Sequence, residues 1–267
     1  MTTELRSILS DMRSVIVAFS GGVDSAYLAC VATDVLGGDA LCITAESASY
    51  PAHHRELAYR VAREFGLRHE VINTGEVDRP EYRANPENRC YFCKNELYTR
   101  LTAIAKARGI AHVVDGTNAD DRGDYRPGRL AAREFGVRSP LDEAGLTKAE
   151  IRQRSHHLGL PVWDEPASAC LSSRIPYHNE VTPEKLRQIE RGEEALHTLG
   201  FRVCRVRHHD ALAKVEVAAE ELDRALEPVM FQAIVRELQA AGYASVMIDP
   251  RGYRTGSLNE GLILRQV

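Results

Sequence analysis

Short apolar runs alternate with amphipathic stretches along the first half of the chain. Val15-Ile16-Val17-Ala18-Phe19 is a β-branched run that ends in a glycine turn, and the stretch from Ala26 to Leu36 behind it has helical character. Ala40 to Thr44 predicts a second strand, and a helix follows from about Pro51 to Phe65, with Pro51 suited to a first helical turn. His69 to Asn73 predicts a third strand, Lys94 to Ala107 a helix, and His112 to Asp115 a fourth strand. Strands that alternate with helices in this way predict an α/β fold, a parallel sheet covered by helices on both faces.

The pattern changes further on. Asp142 to Ala169 reads as a helix and a connection, with Thr147 as N-cap and Glu150 completing a capping box. A helix opens at Thr182-Pro183 and runs to about Leu199. Phe201 to His208 and Ala213 to Val217 then alternate apolar and polar residues, as hairpin strands do, with His209-Asp210 in the turn. Helices over Ala219–Leu226 and Pro228–Ala241 and a strand over Ala244–Ile248 complete a smaller α+β domain. The expected division is residues 1–180 and 181–267.

A chain of 267 residues has room for one large domain or for a larger and a smaller one, and 44% apolar residues suffice for a buried core. The formal net charge of -4 lacks the basic excess of a protein that grips nucleic acid through its phosphates. Met1-Thr2-Thr3-Glu4-Leu5-Arg6 does not read as a signal peptide, and no apolar run suggests a membrane helix. The six cysteines are too few and too unevenly spaced for a secreted disulfide scaffold, so a reducing cytoplasm is expected. In that setting Cys90-x-x-Cys93 points to metal or redox chemistry.

The first strand opens through Ser20-Gly21-Gly22-Val23-Asp24-Ser25 into a helix. Glycines at Gly21 and Gly22 let backbone N–H groups approach a phosphate, and the helix adds its positive end. Ser20 and Ser25 can donate hydroxyl hydrogen bonds, while Asp24 suits Mg²⁺ or a helix cap. Glycines alone would also fit a plain strand-to-helix turn. The full string in this context resembles the loop of the N-type ATP pyrophosphatases, which include GMP synthetase, NAD synthetase and tRNA thiolation enzymes. That resemblance covers roughly residues 14–140. It implies cleavage of ATP between the α and β phosphates and an adenylated intermediate. Asp115-Gly116-Thr117-Asn118-Ala119-Asp120-Asp121 and the pair Glu46-Ser47 fall at the carboxyl edge of the same sheet, where such folds bind ligands. Gly116 suits close nucleotide approach, and Asp120 or Asp121 suits magnesium.

Cys30, Cys42 and Cys204 sit within apolar elements and read as core. Cys90 and Cys93 have the spacing of two ligands on one metal or cluster. Cys170 lies among small residues in Ala167-Ser168-Ala169-Cys170-Leu171-Ser172-Ser173-Arg174, where access and the nearby Arg174 would favour a thiolate; a packed loop cysteine is the plain alternative.

These strings, with Arg89-Cys90-Tyr91-Phe92-Cys93-Lys94, Ile175-Pro176-Tyr177 and the closing Gly252-Tyr253-Arg254-Thr255-Gly256-Ser257-Leu258-Asn259, resemble the LarE family over nearly the whole chain. The resemblance implies an adenine nucleotide alpha-hydrolase-like domain and a homo-oligomer. It also implies an ATP-dependent sulfur transferase that adenylates pyridinium-3,5-biscarboxylic acid mononucleotide and forms the thiocarboxylate of the nickel-pincer cofactor of lactate racemase. Cys170 matches the sulfur-donating position. Two mechanisms remain open: a sacrificial Cys170 that becomes dehydroalanine, or a [4Fe-4S] cluster on Cys90, Cys93 and Cys170 whose open iron carries an extra sulfide. The three-cysteine pattern matches the second. By the same resemblance Arg205 and Arg207 hold the substrate phosphate or line a subunit interface, and Tyr91 lies beside the reacting centre. A solvated strand face is the plain alternative for the arginines. The adjacent pairs His53-His54, His156-His157 and His208-His209 read as surface residues, with His208 the one to watch. Competing classes are a tRNA thiolase, an ammonia-using ligase, which would not require the cysteines, and a metal-binding protein without catalysis, which would leave the phosphate loop unexplained.

Overall fold

A computed structural model describes residues 3–123, 127–166, 169–254, 256 and 258. They form two compact units: one takes in the residues up to Tyr82 and those from Glu87 to 168, the other Arg83–Pro86 and the residues from Ala169 onward.

The first unit is built on β1 (Val15–Ala18), β2 (Ala40–Glu46), β3 (His69–Asn73) and β4 (His112–Val114), all parallel in the order β3-β2-β1-β4. Its helices are α1 (Thr3–Met12), α2 (Val23–Leu36), α3 (Ala52–Glu64), the short α4 (Pro80–Arg83), α5 (Arg89–Arg108), α6 (Gly128–Glu134), the short α7 (Pro140–Glu143) and α8 (Lys148–His157). Strand alternation sorts the side chains into two cores. Val15, Val17, Ala40 and Cys42 pack with Leu28, Leu141 and Ile151 on one face, while Ile16, Leu41 and Ile43 pack with Tyr98, Leu101 and Ala131 on the other. A buried Leu, Ile or Val of this kind contributes about 1.5–3 kcal/mol. The expected elements are all present, with shifted ends. α2 begins at Val23 because Gly22 takes an extended conformation and serves as its N-cap. α5 begins at Arg89, so Cys90 and Cys93 lie on a helix rather than before one. The expected capping box is formed: Thr147 Oγ1 accepts from Glu150 N, and the Glu150 carboxylate accepts from Thr147 N at 2.9 Å. Among the described residues no helix is long and apolar enough to cross a membrane.

The second unit carries α9 (Pro183–Thr198), β5 (Cys204–His209), β6 (Leu212–Val217), α10 (Leu222–Leu226), α11 (Pro228–Ala240) and β7 (Ser245–Ile248). β5 and β6 are an antiparallel hairpin, turned by Asp210 in the left-handed region at φ 52°, and β7 runs parallel to β6. Val206, Val215, Val217, Phe201, Ile234, Leu238 and Tyr243 fill its core. This unit starts earlier in the chain than the change of pattern near residue 180 suggests. Buried Asn85 is the reason. Its amide donates to the carbonyls of Ile175 (3.3 Å), Pro176 (2.7 Å) and Asn179 (3.0 Å), and Val181 N donates to Arg83 O at 2.9 Å.

Candidate functional site

The phosphate loop is assembled by backbone geometry. Gly21 has φ +70°, and a Cβ there would lie 2.9 Å from His54 O and from Ala58 of α3, so only glycine fits between loop and helix. Ser25 is buried; its Oγ accepts from Ser20 N at 3.2 Å, donates to Gly22 O at 3.0 Å and lies 3.2 Å from Ser20 Oγ. Tyr50 hydroxyl donates to Ser20 O at 3.1 Å. The N-terminal amides of α2 thus face the loop with their dipole, the arrangement that receives an anion.

Gly116 closes the opposite side. A Cβ there would approach Ser25 N at 2.9 Å, so the turn after β4 rests on the loop itself. Asp24 does not cap α2. Its carboxylate pairs with Lys148 Nζ and accepts from Asn118 Nδ2 at 3.3 Å. Asp120 accepts from Lys148 N at 2.8 Å, and Asp121 from Asn118 N at 3.1 Å, so both acids brace this turn and the start of α8. Lys148 is a site residue that sequence reasoning missed, although its place directly after the N-cap Thr147 was a usable signal. At the neighbouring strand end, Glu46 accepts from Tyr59, while Ser47 and Ser49 both donate to buried Glu76, the latter at 2.7 Å.

The cysteines divide by burial. Cys42 and Cys204 are buried and Cys30 is packed against the core, and burial pushes all three thiols up to about 12. Such thiols stay protonated and inert at neutral pH. Cys90 is exposed, and Cys93 and Cys170 are partly exposed. Cys90 and Cys93 stand three apart in the first turns of α5 and share a face. Tyr91, on the same turn, donates to Glu134 at 2.8 Å. Cys170 belongs to the second unit, where it precedes the 3-10 turn Leu171–Arg174. Among the described residues no three Cys, His, Asp or Glu side chains are grouped as a metal site.

In the second unit Arg174, Arg205, Arg207 and His208 all have defined partners. Arg174 is buried and forks onto Glu193 at 2.8 and 2.9 Å, with its remaining nitrogen on Ala169 O, Cys170 O and Ser173 Oγ; it is a structural anchor for the Cys170 turn. Burial opposes the Glu193 charge, but the Arg174 guanidinium outweighs it and holds the carboxyl below the usual range. Arg205 and Arg207 share a strand face as expected, yet that face is not solvated. Arg207 binds Glu216 at 2.7 and 3.0 Å and Ser173 O at 2.9 Å. Arg205 is buried, donates to Cys204 O at 2.6 Å and stacks over Tyr253, 5.1 Å from its ring centre. His208 is buried beside the Tyr243 hydroxyl, 3.2 Å away, because its strand position faces the core, whereas the other half of the pair, His209, is exposed. Of the closing motif, Thr255, Ser257 and Asn259 lie outside the described residues, as do Ala167 and Ser168 ahead of Cys170.

Comparison with known proteins agrees with this geometry. Residues 3–119 match the family model for NAD synthase, covering the strands and the phosphate loop. The chain is 46% identical to an uncharacterized protein of Synechocystis sp., over 97% of this chain and 96% of that one. It is 34% identical to the pyridinium-3,5-bisthiocarboxylic acid mononucleotide synthase of Lactiplantibacillus plantarum, over 98% of this chain and 95% of that one. A GMP synthase of Geobacillus kaustophilus is 27% identical over 90% of this chain but only 46% of its own length. With a glycine-built phosphate site and near full-length similarity to a thiocarboxylate-forming synthase, the chain belongs to the LarE family of ATP-dependent sulfur transferases.

Proposed function

We propose that this protein adenylates a carboxylate of pyridinium-3,5-biscarboxylic acid mononucleotide and replaces one of its oxygens with sulfur, giving the thiocarboxylate of the nickel-pincer cofactor. The observation that carries the reading is the division of the cysteines: Cys42 and Cys204 are buried and Cys30 is packed against the core, all three with thiols raised by burial, whereas Cys90, Cys93 and Cys170 lie outside the cores at the positions the family uses. ATP lies over Ser20–Ser25 with its phosphates on the loop amides, and Val23 and Gly116 frame the loop. Mg²⁺ needs only one or two carboxylates beside the phosphates, a role suited to Asp24 with Asp120 nearby. The substrate carboxylate oxygen attacks the α-phosphorus and pyrophosphate leaves. Sulfide sulfur then adds to the acyl carbon and AMP departs with the carboxylate oxygen. Loop amides and metal supply positioning and charge neutralisation. Arg205 and Arg207 receive the mononucleotide phosphate by exchanging part of their internal pairing.

The donor set fits an iron–sulfur cluster in its chemistry. Cys90, Cys93 and Cys170 are thiols outside the cores that would hold such a cluster, and with three protein ligands it would supply an iron able to carry sulfide. A second reading is a sacrificial Cys170, a partly exposed thiol on a turn anchored by Arg174. Purification without oxygen separates them. The cluster reading expects a brown protein containing iron and sulfide, with more than one product per polypeptide and no change in polypeptide mass. A colourless protein whose Cys170 loses one sulfur and two hydrogens during turnover establishes the sacrificial route instead.

A further inference from the structure

Helix α5 carries the cysteine pair in its first turns and, just beyond, the buried Tyr98. The Tyr98 hydroxyl donates to Asp115 Oδ2 at 2.8 Å. The other oxygen of this buried carboxylate accepts from Ser139 Oγ at 2.8 Å and from Thr117 N at 3.1 Å. Asp115 leads directly into Gly116, the residue seated on Ser25 N, and Asn118 then reaches Asp24. The Tyr98–Asp115 hydrogen bond therefore joins the cysteine helix to the turn that closes the phosphate loop. The ring is boxed in, with Lys94 Nζ 5.4 Å from its centre and the Phe135 ring 6.4 Å away. Burial first, then Asp115 and the nearby Cys93, push the phenol well above its ordinary range, so it remains a donor throughout the working pH range.

We propose that Tyr98 is a positioning residue: its hydrogen bond to Asp115 makes the reactivity of Cys90 and Cys93 depend on whether a nucleotide occupies the phosphate loop. The inference rests on the reading that the loop binds ATP and that these thiols serve sulfur transfer. A phosphate drawn onto the loop amides engages Ser25 N, beside which Gly116 leaves no room for a Cβ. A buried donor and acceptor have no water to exchange for, so displacement of Asp115 carries Tyr98 and the start of α5 with it. Coupling of this kind is reciprocal, and nucleotide and thiol state influence one another by the same factor.

The test uses the full-length chain, treated with a chelator so that neither thiol carries metal. Alkylation of each cysteine is followed by peptide mass spectrometry with and without a non-hydrolysable ATP analogue. In the wild-type chain the analogue should change the rates at Cys90 and Cys93 by about fivefold. Y98F keeps the ring, and it should bind the analogue within about twofold of wild type while losing the rate change. D115N, whose amide can donate to the phenol oxygen, should retain it. Equal responses in wild type and Y98F, or no response in wild type, would overturn the proposal. Should Y98F not melt cooperatively, a 3-fluorotyrosine at position 98 reports directly: its fluorine resonance should move when the analogue binds, and an unmoved resonance is equally fatal. Failure of the sulfur-transfer reading is a separate result, a wild-type chain that releases pyrophosphate but forms no thiocarboxylate, and it leaves the alkylation comparison fully decisive.

Discussion

The two units differ in where they place the ion pairs nearest their candidate site residues. The first makes its site from backbone: glycines at 21 and 116, the amides at the head of α2, and a rim pair, Asp24–Lys148, that stays in reach of solvent. The second takes charge inside, where Arg174–Glu193 and Arg207–Glu216 are almost wholly shielded from water. A backbone site tolerates no extra atoms but needs few charged partners. A buried network tolerates neither the loss of one partner nor an unmatched charge. The difference teaches where each unit should break.

The largest effect is expected at Gly21. G21A places a Cβ in a left-handed residue against Ala58 and His54 O, and displacement of the loop should lower ATP-dependent pyrophosphate release by about a hundredfold or more. Pyrophosphate assays check it. In the second unit E193A strands the Arg174 charge, and the cost should be about 3–5 kcal/mol. Calorimetry should then show a melting temperature lowered by at least about 10 °C, on a scale of roughly 4–8 °C per kcal/mol for a small domain. The double replacement R174M with E193L removes both charges and should recover most of that loss, which would sharpen the contrast between a stranded charge and an absent pair.

A smaller change is expected at the rim. K148A removes the cation paired with Asp24 at the rim of the proposed phosphate site, and it should raise the KM for ATP by about tenfold, equivalent to about 1.4 kcal/mol. The smallest is a pH effect. Burial, then Lys185, hold the His208 pKa below its ordinary value, against the opposing pull of Asp210, while His209 lowers it further. The unfolded chain therefore takes up this proton more readily, so stability is complete above about pH 6.5 and declines as the pH falls below it. Melting curves from pH 7.5 to 5.5 should show that decline, and H208Q should lessen it, leaving the share of His209 and His69, which burial also holds low.

Much of the first unit was legible because a parallel strand buried on both faces leaves a continuous apolar run, and a phosphate loop leaves glycines at fixed places. Val15–Phe19 followed by Ser20–Ser25 contains both signals within a few residues. Partnerships made across long stretches of chain were not legible. Nothing near Arg174 announces Glu193, and the clasp of Asn85 on residues 175–179 depends on a fold already formed. Arg205-Val206-Arg207 showed that two guanidinium groups share a face; it could not show that the face is covered by Glu216 and Tyr253. Lys148 lay between these cases, since its position follows from the capping box but its partner Asp24 is distant in sequence.

The account turns on Cys170 acting after adenylation. The most direct measurement is C170A supplied with ATP, the biscarboxylic mononucleotide and sulfide under anaerobic conditions, with pyrophosphate and thiocarboxylate quantified together. The account predicts continued pyrophosphate release and no thiocarboxylate; thiocarboxylate formed at the wild-type rate would contradict it.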